Sequence, residues 1–147
     1  TIISNGYLTV EAIKASEILK SVFNIDAEII DLSVIKPLNL NLIQKSVNKT
    51  KRILSLDTGM ESGSISSDII SKISKTSFNI FKSPPEIIGL PDIPVPSTYN
   101  GAKFYVNYSH IVTKIIKMFD LKKKIEKEIL KIKEPMDIPG NWFKGPF

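Results

Sequence analysis

The chain has 147 residues, of which 42% are hydrophobic and 24% charged, and its formal net charge at pH 7 is +5. This balance is ordinary for a globular domain. Because the sequence has no cysteine, disulfides, thiolate metal sites and cysteine nucleophiles are excluded. No apolar run approaches the roughly 18 residues of a membrane span.

Strands and helices alternate along the sequence. Helices are recognised by apolar residues at intervals of three and four, and strands by short β-branched runs. The predicted elements, in chain order, are a strand at residues 1–4, a helix at Thr9–Phe23, a strand at Ala27–Leu32, a helix capped by Asn39 or Asn41, a strand at Arg52–Asp57, a helix at Ser66–Ser74, a strand at Glu86–Leu90 and a helix capped by Ser109. The segment Phe78–Ser83 fits either a helix end or a short strand.

This alternation predicts an α/β fold with a mostly parallel sheet and helices on both of its faces. Residues 1–118 suffice to build it, and we expect them to form one domain. From residue 119 to 147 the pattern changes to a basic helix followed by a tail rich in proline and aromatic residues. The lysines between Lys117 and Lys133 carry most of the excess charge. Acidic residues are interleaved with them, so a solvated helix face is favoured over a surface for nucleic acid or a membrane.

One loop could hold a ligand, but its composition argues against an anion. Its residues are Gly59, Met60, Glu61, Ser62, Gly63 and Ser64. They follow a predicted strand and open a helix, which is where α/β sheets bind ligands and where helices favour anions. Glu61 places a negative charge in the loop and no lysine follows. A structural turn, or a contact with a second subunit, is therefore favoured over a phosphate cradle.

No catalytic or metal-binding constellation is evident in the sequence. The single histidine, His110, lies at a predicted helix start, where a role in the helix end is favoured over a catalytic base. Histidine pairs and calcium-loop motifs are absent. The serines between Ser62 and Ser67 lack the pattern of a nucleophile elbow and are read as capping residues. Asp26 and Glu28 could share a strand face, but paired acid–base catalysis is disfavoured.

The assembled motifs resemble the transketolase C-terminal domain, particularly as it occurs in the beta subunit of the decarboxylating component of 2-oxoacid dehydrogenases. "TIISNGYLTVEAIKASEILK" resembles the opening strand, glycine turn and helix of that family. "IDAEIIDLSVIKPLNLNLIQKSVNKTKRILSLDTG" is the most specific match, and "SGSISSDIISKI" and "GLPDIPVPSTYNGAKFYVNYSHIV" follow in the family's order. The resemblance implies a three-layer α/β/α fold with a mostly parallel, mixed sheet of five strands.

The resemblance also implies a role in assembly. In the family this domain binds no cofactor; thiamine diphosphate and Mg are held elsewhere in the complete enzyme. Expected partners are a second copy or an alpha-type subunit, giving a homodimer or heterotetramer, and an acyltransferase core. A rigid loop suits such docking, so Pro91, Asp92, Pro94 and Pro96 are predicted to form a docking loop. The expected location is the cytoplasm or an organelle matrix.

The C-terminal tail has no counterpart in the family pattern. Its aromatic residues Trp142, Phe143 and Phe147 would suit an interface, and they could equally seal the edge of the domain's own core. The chain enters directly into an apolar run without an initiating methionine, so we expect it to be part of a longer polypeptide.

Two alternatives remain open at the level of sequence. The first is a transketolase or a deoxyxylulose-phosphate-synthase type of enzyme, since these share the domain. The second is a free-standing module that binds anions at the Gly59–Ser64 loop or polyanions at the lysine helix, and it predicts salt-sensitive binding of polyanions by the isolated chain.

Overall fold

The computed structural model describes residues 1–94 and 104–121. Its elements, in chain order, are β1 (Ile2–Ser4), α1 (Tyr7–Phe23), β2 (Ile29–Asp31), α2 (Leu40–Thr50), β3 (Leu54–Met60), α3 (Ile65–Ser77), a short 3-10 helix (Phe78–Ile80), β4 (Glu86–Leu90) and α4 (Tyr108–Met118). This order confirms the predicted alternation of strands and helices. Within the described ranges, no helix combines the length and the apolar character that crossing a membrane requires.

The sheet has the strand order β2-β1-β3-β4, and all three strand pairs are parallel. The parallel α/β architecture is thus confirmed, whereas the described part of the chain contains four strands instead of the expected five. The ambiguous segment that begins at Phe78 opens as a 3-10 helix. Pro84 and Pro85 follow it closely, and proline cannot donate to a strand ladder.

The sheet separates two hydrophobic cores. Successive strand residues point to opposite faces, so Ile2 belongs to the core beneath α1 and α4, and Ile3 to the core beneath α2 and α3. Both cores also contain fully buried helix residues: Leu8, Leu19, Ile111 and Ile116 on the first face, and Ile43, Val47 and Ile69 on the second. Burying an aliphatic side chain of this size contributes roughly 1.5–3 kcal/mol, so both faces stabilise the sheet.

Side-chain caps fix the starts of α2 and α4. Asn39, one of the two predicted candidates, caps α2 by accepting a hydrogen bond from the backbone N–H of Leu42 at 3.1 Å. For α4 the prediction of Ser109 was wrong. Asn107 is extended, and its side chain accepts from the N–H groups of Ser109 and His110, so the helix begins at Tyr108. Ser109 therefore lies inside the first turn.

A buried carboxylate joins α1 to the start of α4. Glu11 is 7% exposed, and its Oε2 accepts a hydrogen bond from the backbone N–H of Tyr108 at 2.7 Å. The first amides of a helix have no partner within the helix, so Glu11 satisfies one of them from a neighbouring element. This contact fixes where α4 begins relative to α1.

Candidate functional site

The carboxyl ends of the four strands meet at one edge of the sheet, where open α/β sheets bind their ligands. Two segments with predicted functional residues lie there: Glu61–Ser64, here the β3–α3 turn, and Pro91–Pro94, here the proline segment. The predicted loop boundary needs a correction. Gly59 and Met60 belong to β3, because β3 stays paired with β4 as far as Met60 and Leu90.

Asp57 ties the end of β3 to the start of α3. Its carboxylate is buried, with Oδ1 accepting from the N–H of Gly59 at 3.0 Å and Oδ2 from the N–H of Ser66 at 3.3 Å. Beside it, the buried hydroxyl of Ser55 donates to Ser66 Oγ at 2.8 Å. A carboxylate at a helix N-terminus also faces the positive end of the helix dipole. Asp57 is therefore committed to the fold at this edge.

The β3–α3 turn satisfies its own polar groups. Ser64 caps α3, since its Oγ accepts from the N–H of Ser67 at 3.0 Å and donates to the carbonyl oxygen of Glu61 at 2.8 Å. Gly63 has φ +68°, a conformation that favours glycine. The turn therefore follows directly from a capping serine and a glycine at the required positions.

This arrangement favours the structural reading of the turn over the anion site. The amides of Ser66 and Ser67, which an anion at the helix start would use, are held by Asp57 and Ser64. An incoming anion would also meet the carboxylates of Asp57 and Glu61. Like charges in proximity repel, so the local electrostatics oppose an anionic ligand.

Three hydrogen bonds connect the β3–α3 turn to the end of β4 and the proline segment. The N–H of Glu61 donates to the carbonyl oxygen of Leu90 at 3.1 Å, and Glu61 Oε1 accepts from the N–H of Gly89 at 3.3 Å. Ser62 Oγ donates to Asp92 Oδ2 at 2.6 Å. The two segments therefore form one surface, and Ser62 is the side chain that fixes the proline segment to the turn.

Gly89 allows the two segments to approach this closely. A Cβ atom at this position would lie 2.8 Å from the carbonyl oxygen of Gly59 and 3.2 Å from the backbone nitrogen of Glu61. Both neighbours are backbone atoms that cannot rotate away, so any larger residue would force β3 and β4 apart.

The joined segments and the adjacent last residue of β3 expose apolar side chains to solvent. Met60 is 39% exposed and Ile93 is 38% exposed, and Pro91 and Pro94 are exposed as well. Proline segments lose little conformational entropy on binding. This combination of rigid backbone and exposed apolar groups is suited to a protein contact.

His110, the single histidine, stabilises the start of α4. Its Nδ1 accepts from the N–H of Asn107 and completes a capping box. Burial lowers the pKa of His110, and a hydrogen bond with the backbone of Tyr105 opposes that shift.

The carboxylates of Asp26 and Glu28 bind different side chains. Asp26 forms an ion pair with Lys20. Lys49 and Ser46 hydrogen-bond to Glu28 and lower the pKa of its carboxyl group. Asp26 and Glu28 thus have separate partners. In the part of the chain that is described, His, Asp and Glu side chains form no cluster of three or more that could hold a metal ion.

Several predicted site residues lie outside the described residues. They are Pro96 of the predicted docking loop, the tail residues Trp142, Phe143 and Phe147, and the lysines of the predicted basic helix. Their roles stay predictions.

Sequence reasoning named Ser62 and Asp92 as candidates in two separate loops but missed the hydrogen bond that connects them. Ser62 and Asp92 are 30 residues apart, and no local pattern relates them. The role of Asp57 could have been predicted from the sequence, because an acidic residue at the end of a predicted strand, two positions before a glycine, is positioned to accept a backbone N–H. The role of Gly89 could have been predicted too, since an isolated glycine within a strand often marks a close backbone approach.

The family model of the transketolase C-terminal domain matches residues 1–120. Among curated proteins, the pyruvate dehydrogenase E1 component subunit beta of Rickettsia bellii is 34% identical over 106 residues, which are 72% of this chain and 32% of that protein. The mitochondrial subunit beta of Chaetomium thermophilum is 33% identical over 96 residues, which are 65% of this chain and 25% of that protein. The chain therefore spans about a quarter to a third of these relatives. The matches confirm the resemblance found in the sequence.

A solved structure has the same fold. It is described as a split gene transketolase, an inactive beta4 tetramer, and it matches with a TM-score of 0.66 over 82% of this chain and 38% of its own. The sequence identity is 20%, so this likeness concerns the fold alone.

Proposed function

The chain belongs to the transketolase C-terminal domain family, and on that premise we propose that it is the C-terminal structural and assembly domain of a thiamine-diphosphate-dependent 2-oxoacid dehydrogenase, within a beta-type subunit. It supports dimerisation and partner docking and leaves the chemistry to other domains. The curated relatives support this branch over a transketolase or deoxyxylulose-phosphate-synthase type, because pyruvate dehydrogenase beta subunits match at 33% and 34% identity.

The joined segments at the carboxyl edge are the observation that carries the docking role. The hydrogen bond from Ser62 Oγ to Asp92 Oδ2 restrains the proline segment against the turn before any partner arrives. Ordering a loop in advance reduces the entropy that binding must overcome. Met60 and Ile93 then present apolar surface on a rigid base, as the centre of an interface requires.

We assign thiamine diphosphate and Mg to other parts of the complete enzyme. Within the described residues, no three His, Asp or Glu side chains lie close enough together to hold a metal ion, and Asp57 and Glu61 at the carboxyl edge bond to backbone amides. The complete enzyme would pair this subunit with an alpha-type subunit or a second copy, and an acyltransferase core would be a further partner. Its location would be the cytoplasm or an organelle matrix, and one relative is named as mitochondrial.

The docking role is tested by placing a charge on the exposed apolar positions. We expect Met60→Lys and Ile93→Lys each to weaken association of the chain with itself or with an alpha-type subunit by about tenfold or more, because a charge at an interface centre must be desolvated. Sedimentation velocity over a concentration series measures this.

Val22→Lys provides the matched control. Val22 is 42% exposed on α1, away from the joined segments, so this variant should associate as the unchanged chain does. Melting temperatures of all three variants should stay close to that of the unchanged chain. If Met60→Lys and Ile93→Lys both associate like the control, the docking role of this surface is wrong.

A further inference from the structure

We draw no further inference here: the strongest candidate, the cavity of about 120 Å³ at the amino ends of β1 and β3, is lined by Thr1 as well as by Arg52, Met118 and Phe119, and because the chain spans only about a quarter to a third of its relatives, nothing in the structure shows what covers this cavity.

Discussion

At the scale of the residue, Gly89 sets how closely β3 and β4 approach each other. A Cβ atom there would lie 2.8 Å from the carbonyl oxygen of Gly59. We expect Gly89→Ala to lower the free energy of unfolding by about 1–3 kcal/mol, as overpacking against immobile atoms does. Urea denaturation followed by circular dichroism measures this as a lower midpoint with an unchanged slope.

Gly59→Ala is the control for this substitution. A Cβ atom at Gly59 would have Asp57 Oδ1 as its neighbour at 3.5 Å, which is an ordinary contact. The free energy of unfolding should therefore change by no more than about 0.5 kcal/mol. Equal effects of the two substitutions would show that the loss comes from removing a glycine and not from the contact between the strands.

We expect His110 to make the stability of α4 depend on pH. Burial holds its pKa in the folded state below the unfolded value, so between the two values the unfolded state binds more protons and stability rises with pH. Acidification from about pH 7 towards pH 5 should therefore destabilise the fold. Protonation also removes the Nδ1 acceptor of the N–H of Asn107.

His110→Gln separates titration from capping. Glutamine at this position of a capping box can still accept from the backbone N–H, and it does not titrate. We expect similar stability at pH 7 and a smaller loss between pH 7 and pH 5 than in the unchanged chain, measured by urea denaturation at each pH. If both proteins lose the same stability, other groups cause the pH dependence.

At the scale of the element, Asp57 is predicted to determine how firmly α3 is attached to β3. Asp57→Asn would place an N–H₂ group against the N–H of Gly59 or of Ser66, both of which now donate to the carboxylate. A buried donor without an acceptor costs about 1–3 kcal/mol. Hydrogen exchange should show lower protection in the first turn of α3, with a matching loss in the free energy of unfolding.

Asp26→Asn is the control for this change. Asp26 forms an ion pair with Lys20 at 2.7 Å, but its side chain is 79% exposed. Exposed ion pairs contribute about 0–1 kcal/mol, so this variant should lose little. A similar loss in both variants would mean that the general loss of negative charge, and not the bonding of Asp57, is responsible.

The elements differ in how far the sequence determines them. β4 was predicted with its observed bounds, Glu86–Leu90, because prolines flank a short apolar run on both sides. The end of β3 was missed because Gly59 and Met60 are in a strand only through their pairing with β4, which is a long-range contact. The start of α4 was misplaced because Asn107 and Ser109 are both good capping residues, and the backbone conformation at Asn107 decides between them.

The same distinction applies to the candidate site. The position of the turn after β3 and its glycine and serine residues could be predicted, because the sequence has a strand pattern followed by glycines and a serine-rich helix start. The bond from Ser62 to Asp92 could not, because it depends on the parallel pairing that brings the ends of β3 and β4 together. Local chemistry is therefore visible in the sequence, whereas contacts between loops require the topology.

At the scale of the whole molecule, the two cores share one sheet, so residues 1–118 should unfold as a single unit. Ile2 and Ile3 are neighbours in β1, yet they pack into different cores. A helix layer that came off one face would expose that side of the strands to water. We therefore expect the two layers to be lost in one cooperative transition.

The same change, isoleucine to valine, made once on each face of the sheet tests whether the two layers unfold together. Ile111→Val in α4 and Ile69→Val in α3 each shorten a side chain that is 0% exposed, at an expected loss of about 0.5–1.5 kcal/mol. The two residues belong to separate clusters, so the double variant should lose the sum of the single losses to within about 0.5 kcal/mol. Circular dichroism and hydrogen exchange of both helices should report one transition midpoint for each variant. If Ile69→Val loosened α2 and α3 while α1 and α4 kept their protection, the two faces would be separate folding units.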